Sequence, residues 1–88
     1  MDKHYELAFH NLEDELEDGC EYMREAEEAD SMGKSYYAEG LRRIAYDEYT
    51  HAKFIRDYLI TKGVYHDHEH HAKLEEHWHK LRSKLELW

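Results

Sequence analysis

Apolar residues in the first half of the chain recur every three or four positions, the period of an α-helix with one buried face. From residue 3 to 31 one row reads Ala8, Leu12, Glu15, Gly19, Tyr22, Ala26 and Ala29. A neighbouring row reads Tyr5, Phe9, Leu12, Leu16, Gly19, Met23 and Ala26. Together they form the broad stripe of a core-facing helix, in which Gly19 lets a facing helix approach closely. Asp30-Ser31-Met32-Gly33 breaks the pattern, with Gly33 suited to a left-handed cap and Ser35 to the N-cap of a second helix. That helix runs to Lys62, and Gly63 ends it in the same way. Leu74, Trp78, Leu81, Leu85 and Trp88 then alternate in steps of four and three. They predict a third helix over about 68–87, with Asp67 as N-cap and a seam that wants a partner, either the hairpin or another subunit.

The second helix carries an anomaly. Its row reads Tyr37, Leu41, Ile44, Glu48, His51, Ile55 and Tyr58, so a carboxylate and an imidazole interrupt an apolar stripe. A buried charged carboxylate is costly unless it is paired or coordinated to a metal. The Glu-x-x-His spacing alone means little, because Glu76-His77-Trp78-His79 repeats it with both termini off the apolar stripe of their helix. Placement on a core face is what singles out Glu48 and His51.

The short connection makes the first two helices an antiparallel hairpin, which fixes axial levels. The midpoints of 15 and 48, and of 15 and 51, both fall inside the turn. At ~1.5 Å of rise per residue all three residues lie roughly 25 Å from it. Glu15, the in-stripe acid of helix 1, is therefore level with Glu48 and His51, with Asp18 as its understudy. Glu13, Asp14 and Glu17 point elsewhere. A metal-free reading pairs Glu48 and His51 with Arg42 or Arg43 of a neighbouring chain.

Composition narrows the class. The chain has 88 residues, no proline, four glycines and a single cysteine. An all-α domain this small usually recruits a metal, disulfides or a partner subunit, and one cysteine excludes an internal disulfide. The lone thiol fits a cytoplasmic location, and Cys20 reads as a small core filler. The net charge of −9 argues against nucleic acid and anionic membranes as partners. No apolar run approaches membrane-spanning length. Residues 1–30 hold twelve carboxylates against Lys3 and Arg24, most of them a solvated face. On helix 3, His68, His71, Glu75 and His79 share a face at spacings of three and four, a candidate second metal site. Tyr46, Tyr49 and Tyr58 read as packing residues.

Glu15 followed seven residues on by Tyr22, and Glu48-Tyr49-Thr50-His51-Ala52 after Ile44-Ala45, resemble the first hairpin of rubrerythrins; the stretch from Gly40 to Glu48 is also rubrerythrin-like. The resemblance covers roughly residues 8–60. It implies that Glu15, Glu48 and His51 ligate iron and that Tyr22 lies beside the metals as a catalytic residue. The family's second hairpin and its rubredoxin cysteines are missing, so the site must be completed by another subunit. That architecture is similar to short encapsulated ferritins, although Ser83–Trp88 does not resemble their targeting tail.

The expectation is thus an all-α chain in two segments. Residues 1–64 form a ferritin-like hairpin, and residues 65–88 a His-rich connection and an amphipathic helix. A homodimer or higher homo-oligomer completes a four-helix bundle holding two irons per dimer site, with manganese or zinc as other occupants. The expected activity is oxidation of Fe(II) by oxygen or peroxide. A structural metal module without turnover and a metal-free helical interaction protein are the alternatives.

Overall fold

A computed structural model describes residues 2–87, so Trp88 of the expected seam lies outside the described residues. The chain is all-helical: α1 spans Lys3–Ser31, α2 Ser35–Thr61 and α3 His71–Lys84. Asp2 caps α1 by accepting a 2.9 Å hydrogen bond from the His4 N–H. At its far end Lys34 N–H bonds to Ala29 O and Gly33 N–H to Asp30 O, while Gly33 takes φ +72°. Gly63, at φ +73°, repeats this arrangement with Val64 N–H on Leu59 O. Both glycines therefore end their helices as their sequence positions indicate. Ser35 is not the N-cap of α2. It is the first helical residue, and Lys34 precedes it without a side-chain cap.

The helix 1–helix 2 seam follows a seven-residue repeat. On α1, Phe9, Leu12, Leu16, Gly19, Met23 and Ala26 are buried. On α2 the buried row is Ala38, Leu41, Ala45, Tyr49, Ala52 and Leu59, not the expected Tyr37–Tyr58 row. Tyr37 is 62% exposed and Ile44 42% exposed. The stripe is rotated by about one residue because alanines at 38, 45 and 52 bring the backbones together, leaving the larger side chains along the edge.

Helix α3 packs across the opposite side of the hairpin, running back along α1, with Lys73 3.6 Å from Glu13 and Lys84 3.3 Å from Glu27. Leu81 sits over Gly19, where an added Cβ would lie 2.7 Å from its Cδ2. Trp78 stacks on Tyr49 with ring centroids 5.0 Å apart, and Arg56 pairs with Glu75 at 2.7 Å beneath it. The Leu74–Trp78–Leu81 seam thus finds its partner in its own hairpin. Those three residues are buried, and burying each stabilises the fold by ~1.5–3 kcal/mol.

The expected start of helix 3 at residue 68, capped by Asp67, is displaced to His71. Tyr65 is the reason. It is wholly buried between Phe9 and Arg56, and His68 stacks on Phe9 at 3.8 Å. The connection therefore folds as turns that insert two rings into the core. Glu86, at φ +60°, closes α3 at Lys84 rather than at 87. Among the described residues no helix is long and apolar enough to cross a membrane.

Candidate metal centre

Glu15 precedes the seam residue Leu16, and His51 precedes the seam residue Ala52. In an antiparallel hairpin both positions flank the same side of the seam, the side away from α3. Glu48 occupies the seam's own repeat, three residues before His51 and between Ala45 and Ala52. The helices thus bring all three side chains to one point. His51 Nδ1 lies 3.3 Å from Glu15 Oε2 and 3.9 Å from Glu48 Oε1. One ligating atom from each residue falls within 4.8 Å of the others, and among the described residues this is the group so disposed.

The site is half open. Side-chain exposure is 19% for Glu48, 26% for Glu15 and 58% for His51. It therefore lies at the rim of the core, not in its middle as the stripe on α2 suggests. The reason is the same rotation of α2 that exposes Ile44.

Its electrostatics are unbalanced. Burial pushes the Glu48 carboxyl up to about 7, and the hydrogen bond and negative charge of Glu15 act in the same direction. His51 opposes the shift, and Asp18 adds to it. No Lys or Arg pairs with Glu15 or Glu48 among the described residues. Of the two cations of the metal-free reading, Arg42 is engaged within its own chain by Asp30 and lies 3.9 Å from Glu39, whereas Arg43 is exposed and forms no salt bridge among the described residues. His51 Nδ1 stands within hydrogen-bond distance of Glu15, and the ring donates there in the tautomer that carries its proton on Nδ1. Two converging carboxylates with only an imidazole between them form a donor set that fits a hard or borderline cation.

Tyr22 lies seven residues along α1 from Glu15, half-buried, and packs against the apolar groups on both sides of it. It makes no side-chain hydrogen bond to Glu15, Glu48 or His51 among the described residues. Cys20 is half-buried against the core, and burial raises its thiol pKa. The four candidate ligands on the third helix are not gathered. Glu75 is held by Arg56, His79 lies 3.2 Å from Glu75, His71 bonds to His68 O, and His68 packs on Phe9. Glu76 and His79 of the repeated spacing are exposed, as their placement off the stripe requires.

Asp18, whose charge adds to the shift of Glu48, and an apolar groove beside the site belong to the same open side. The groove, about 340 Å3, is lined by His4, Ala8, Asn11, Phe54, Ile55 and Tyr58 on the same open side. Phe54 is 74% exposed there. A large exposed apolar residue one turn beyond His51 is the signal that marks it. No protein-family model matches this chain, and comparison with curated proteins and with solved structures gives no significant match either.

Proposed function

We propose that this chain is half of a di-iron carboxylate protein, in which two copies pair to complete a four-helix bundle and a shared metal centre. Glu15, Glu48 and His51 of each copy would hold the metals, giving four carboxylates and two imidazoles in the dimer. One observation carries the reading: two carboxylates converge at a half-open rim with no Lys or Arg against them among the described residues, at a cost visible in the raised Glu48. A second copy covers the open side and a cation neutralises the charge, so both deficits are met together. Oxygen-rich donors with few imidazoles suit iron or manganese better than zinc.

Fe(II) is the substrate of the proposed activity, each ion giving one electron to oxygen or peroxide. Carboxylates favour the ferric product, because their charge stabilises the higher oxidation state. Tyr22, half-buried on the site's helix but without a hydrogen bond to Glu15, Glu48 or His51 among the described residues, would act on that chemistry from a distance rather than by binding metal. The same reading places the protein in the cytoplasm, without nucleic acid or membrane partners.

The test is oxygen consumption by anaerobic protein loaded with Fe(II). Wild-type protein should oxidise the iron faster than buffer does, and His51→Ala should fall to the buffer rate. Stoichiometric binding without acceleration would remove the redox activity and leave the ions as a structural staple between hairpins.

A further inference from the structure

The open side of the hairpin changes character along its length. Level with Glu15, Glu48 and His51 it is acidic, and Asp18 adds to that charge. Toward the start of α1 and the end of α2 it becomes the apolar groove of about 340 Å3, which no carboxylate lines. Asn11 stands one turn before Glu15 and Ile55 one turn after His51, so the groove begins where the rim stops. Its far end lies at Tyr58, seven residues from His51 and roughly 10 Å away at the rise of a helix. There His4 Nε2 is 2.7 Å from the Tyr58 hydroxyl, and Lys62 Nζ is 5.7 Å from the centre of the Tyr58 ring. Lys62 forms no salt bridge among the described residues.

We propose that this groove binds a medium-chain monocarboxylate, a straight-chain fatty acid about as long as octanoate. Its alkyl body lies over Ala8 and Ile55 with Phe54 as the outer wall, and its carboxylate meets Tyr58 and Lys62. The site goes beyond the proposed metal chemistry and needs no metal to form.

The body of the ligand follows from the walls. Phe54 is 74% exposed beside half-buried Ala8 and Ile55, an apolar surface that the single chain leaves in water and that an alkyl chain covers. Alanine at position 8 keeps the floor low. A volume of about 340 Å3 lies in the range of small-molecule pockets.

The head follows from the donors. Of the groove's two ends, the rim belongs to the proposed cation, and the end left to a ligand's head is the basic one. A carboxylate only accepts. The Tyr58 hydroxyl donates to it when His4 Nε2–H donates to the Tyr58 oxygen, and the Lys62 ammonium supplies the opposite charge. In the metal-free chain the reversed orientation sets the carboxylate against Glu15 and Glu48, so one direction is selected. A dicarboxylate of equal length is rejected for the same reason, because its second charge lands at the acidic rim.

Isothermal titration calorimetry of octanoate into metal-free protein tests the site, and chelator in the buffer separates its failure from that of the metal reading. One molecule should bind per chain, and shortening the acid should weaken binding about fourfold for each methylene removed. Octanol and octanedioate should bind about tenfold more weakly than octanoate. Phe54→Ala should cost about tenfold and Lys62→Glu several-fold, with helicity by circular dichroism unchanged because both residues are exposed. Octanoate bound no more tightly than octanol, octanedioate or octylammonium overturns the proposal. So does an affinity that Phe54→Ala leaves unchanged, or a stoichiometry of several molecules per chain. Light scattering on the same samples identifies the competing occupant. A dimer that takes no octanoate and that Phe54→Ala dissolves assigns the groove to a second copy and overturns the ligand.

Discussion

Gly19 is where the sequence, the third helix and the metal rim meet, and replacing it with alanine tests that junction. In an exposed helix interior the change would stabilise by about 1 kcal/mol, because glycine loses more backbone freedom on folding. Here the new Cβ would lie 2.7 Å from Leu81 Cδ2, 3.2 Å from Leu81 Cδ1 and 3.5 Å from Glu48 Cβ. Ordinary carbon contacts are ~3.5–4 Å, so Leu81 must withdraw by close to an ångström. It is wholly buried, so its neighbours in the core must absorb the shift. Overpacking of this kind costs ~1–3 kcal/mol, so the gain is cancelled and a net destabilisation of up to ~2 kcal/mol is expected. Leu81→Ala alone should cost ~2–5 kcal/mol. In that background the obstruction is gone, and Gly19→Ala should become stabilising by roughly 1 kcal/mol. Urea unfolding followed by circular dichroism, at fixed protein concentration with chelator, measures all four corners of the cycle. Equal stabilisation by Gly19→Ala in both backgrounds would refute the docking of α3 over Gly19.

Glu15→Ala and His51→Ala should each abolish tight metal binding in calorimetric titration, since two-fold symmetry deletes two ligands at once. Glu13→Ala and Glu76→Ala should leave it intact; equal losses from all four would assign the metal to the acidic surface. Metal affinity should rise between about pH 6 and pH 8, because the Glu48 proton, held up to about 7 chiefly by burial, must leave before a cation binds. In the metal-free chain the sign reverses: the folded state holds that proton more tightly than the unfolded state, so stability should fall as pH rises from about 4.5 to about 7 and level off above it. Affinity and stability that are flat with pH would contradict the crowded carboxylates. Truncation after Gly63 removes Tyr65, Leu74, Trp78 and Leu81 from the core, and it should cause aggregation or a new oligomer number in light scattering while metal binding persists.

Much of the hairpin was legible because its signals are local. Gly33 and Gly63 mark chain reversals by a backbone conformation that few other residues adopt, and the helix bounds they set for α1 and α2 agree with the structure to a residue. Axial level was legible too, since a short turn and a fixed rise leave Glu15 no other partners than Glu48 and His51. The face of α2 was not. Periodicity weights large apolar residues, yet the seam is built on Ala38, Ala45 and Ala52, whose small size sets the helix separation. The start of α3 was hidden for a similar reason. Nothing local distinguishes Tyr65 and His68 from exposed loop rings until the hairpin supplies Phe9 for both to stack on.

The central claim is that two half-sites meet to hold iron, and sedimentation equilibrium during an anaerobic Fe(II) titration tests it most directly. The account predicts two Fe(II) bound per dimer, with dimer forming as iron is added and dissociating when a chelator removes it. A folded monomer that stays monomeric with and without iron would contradict it.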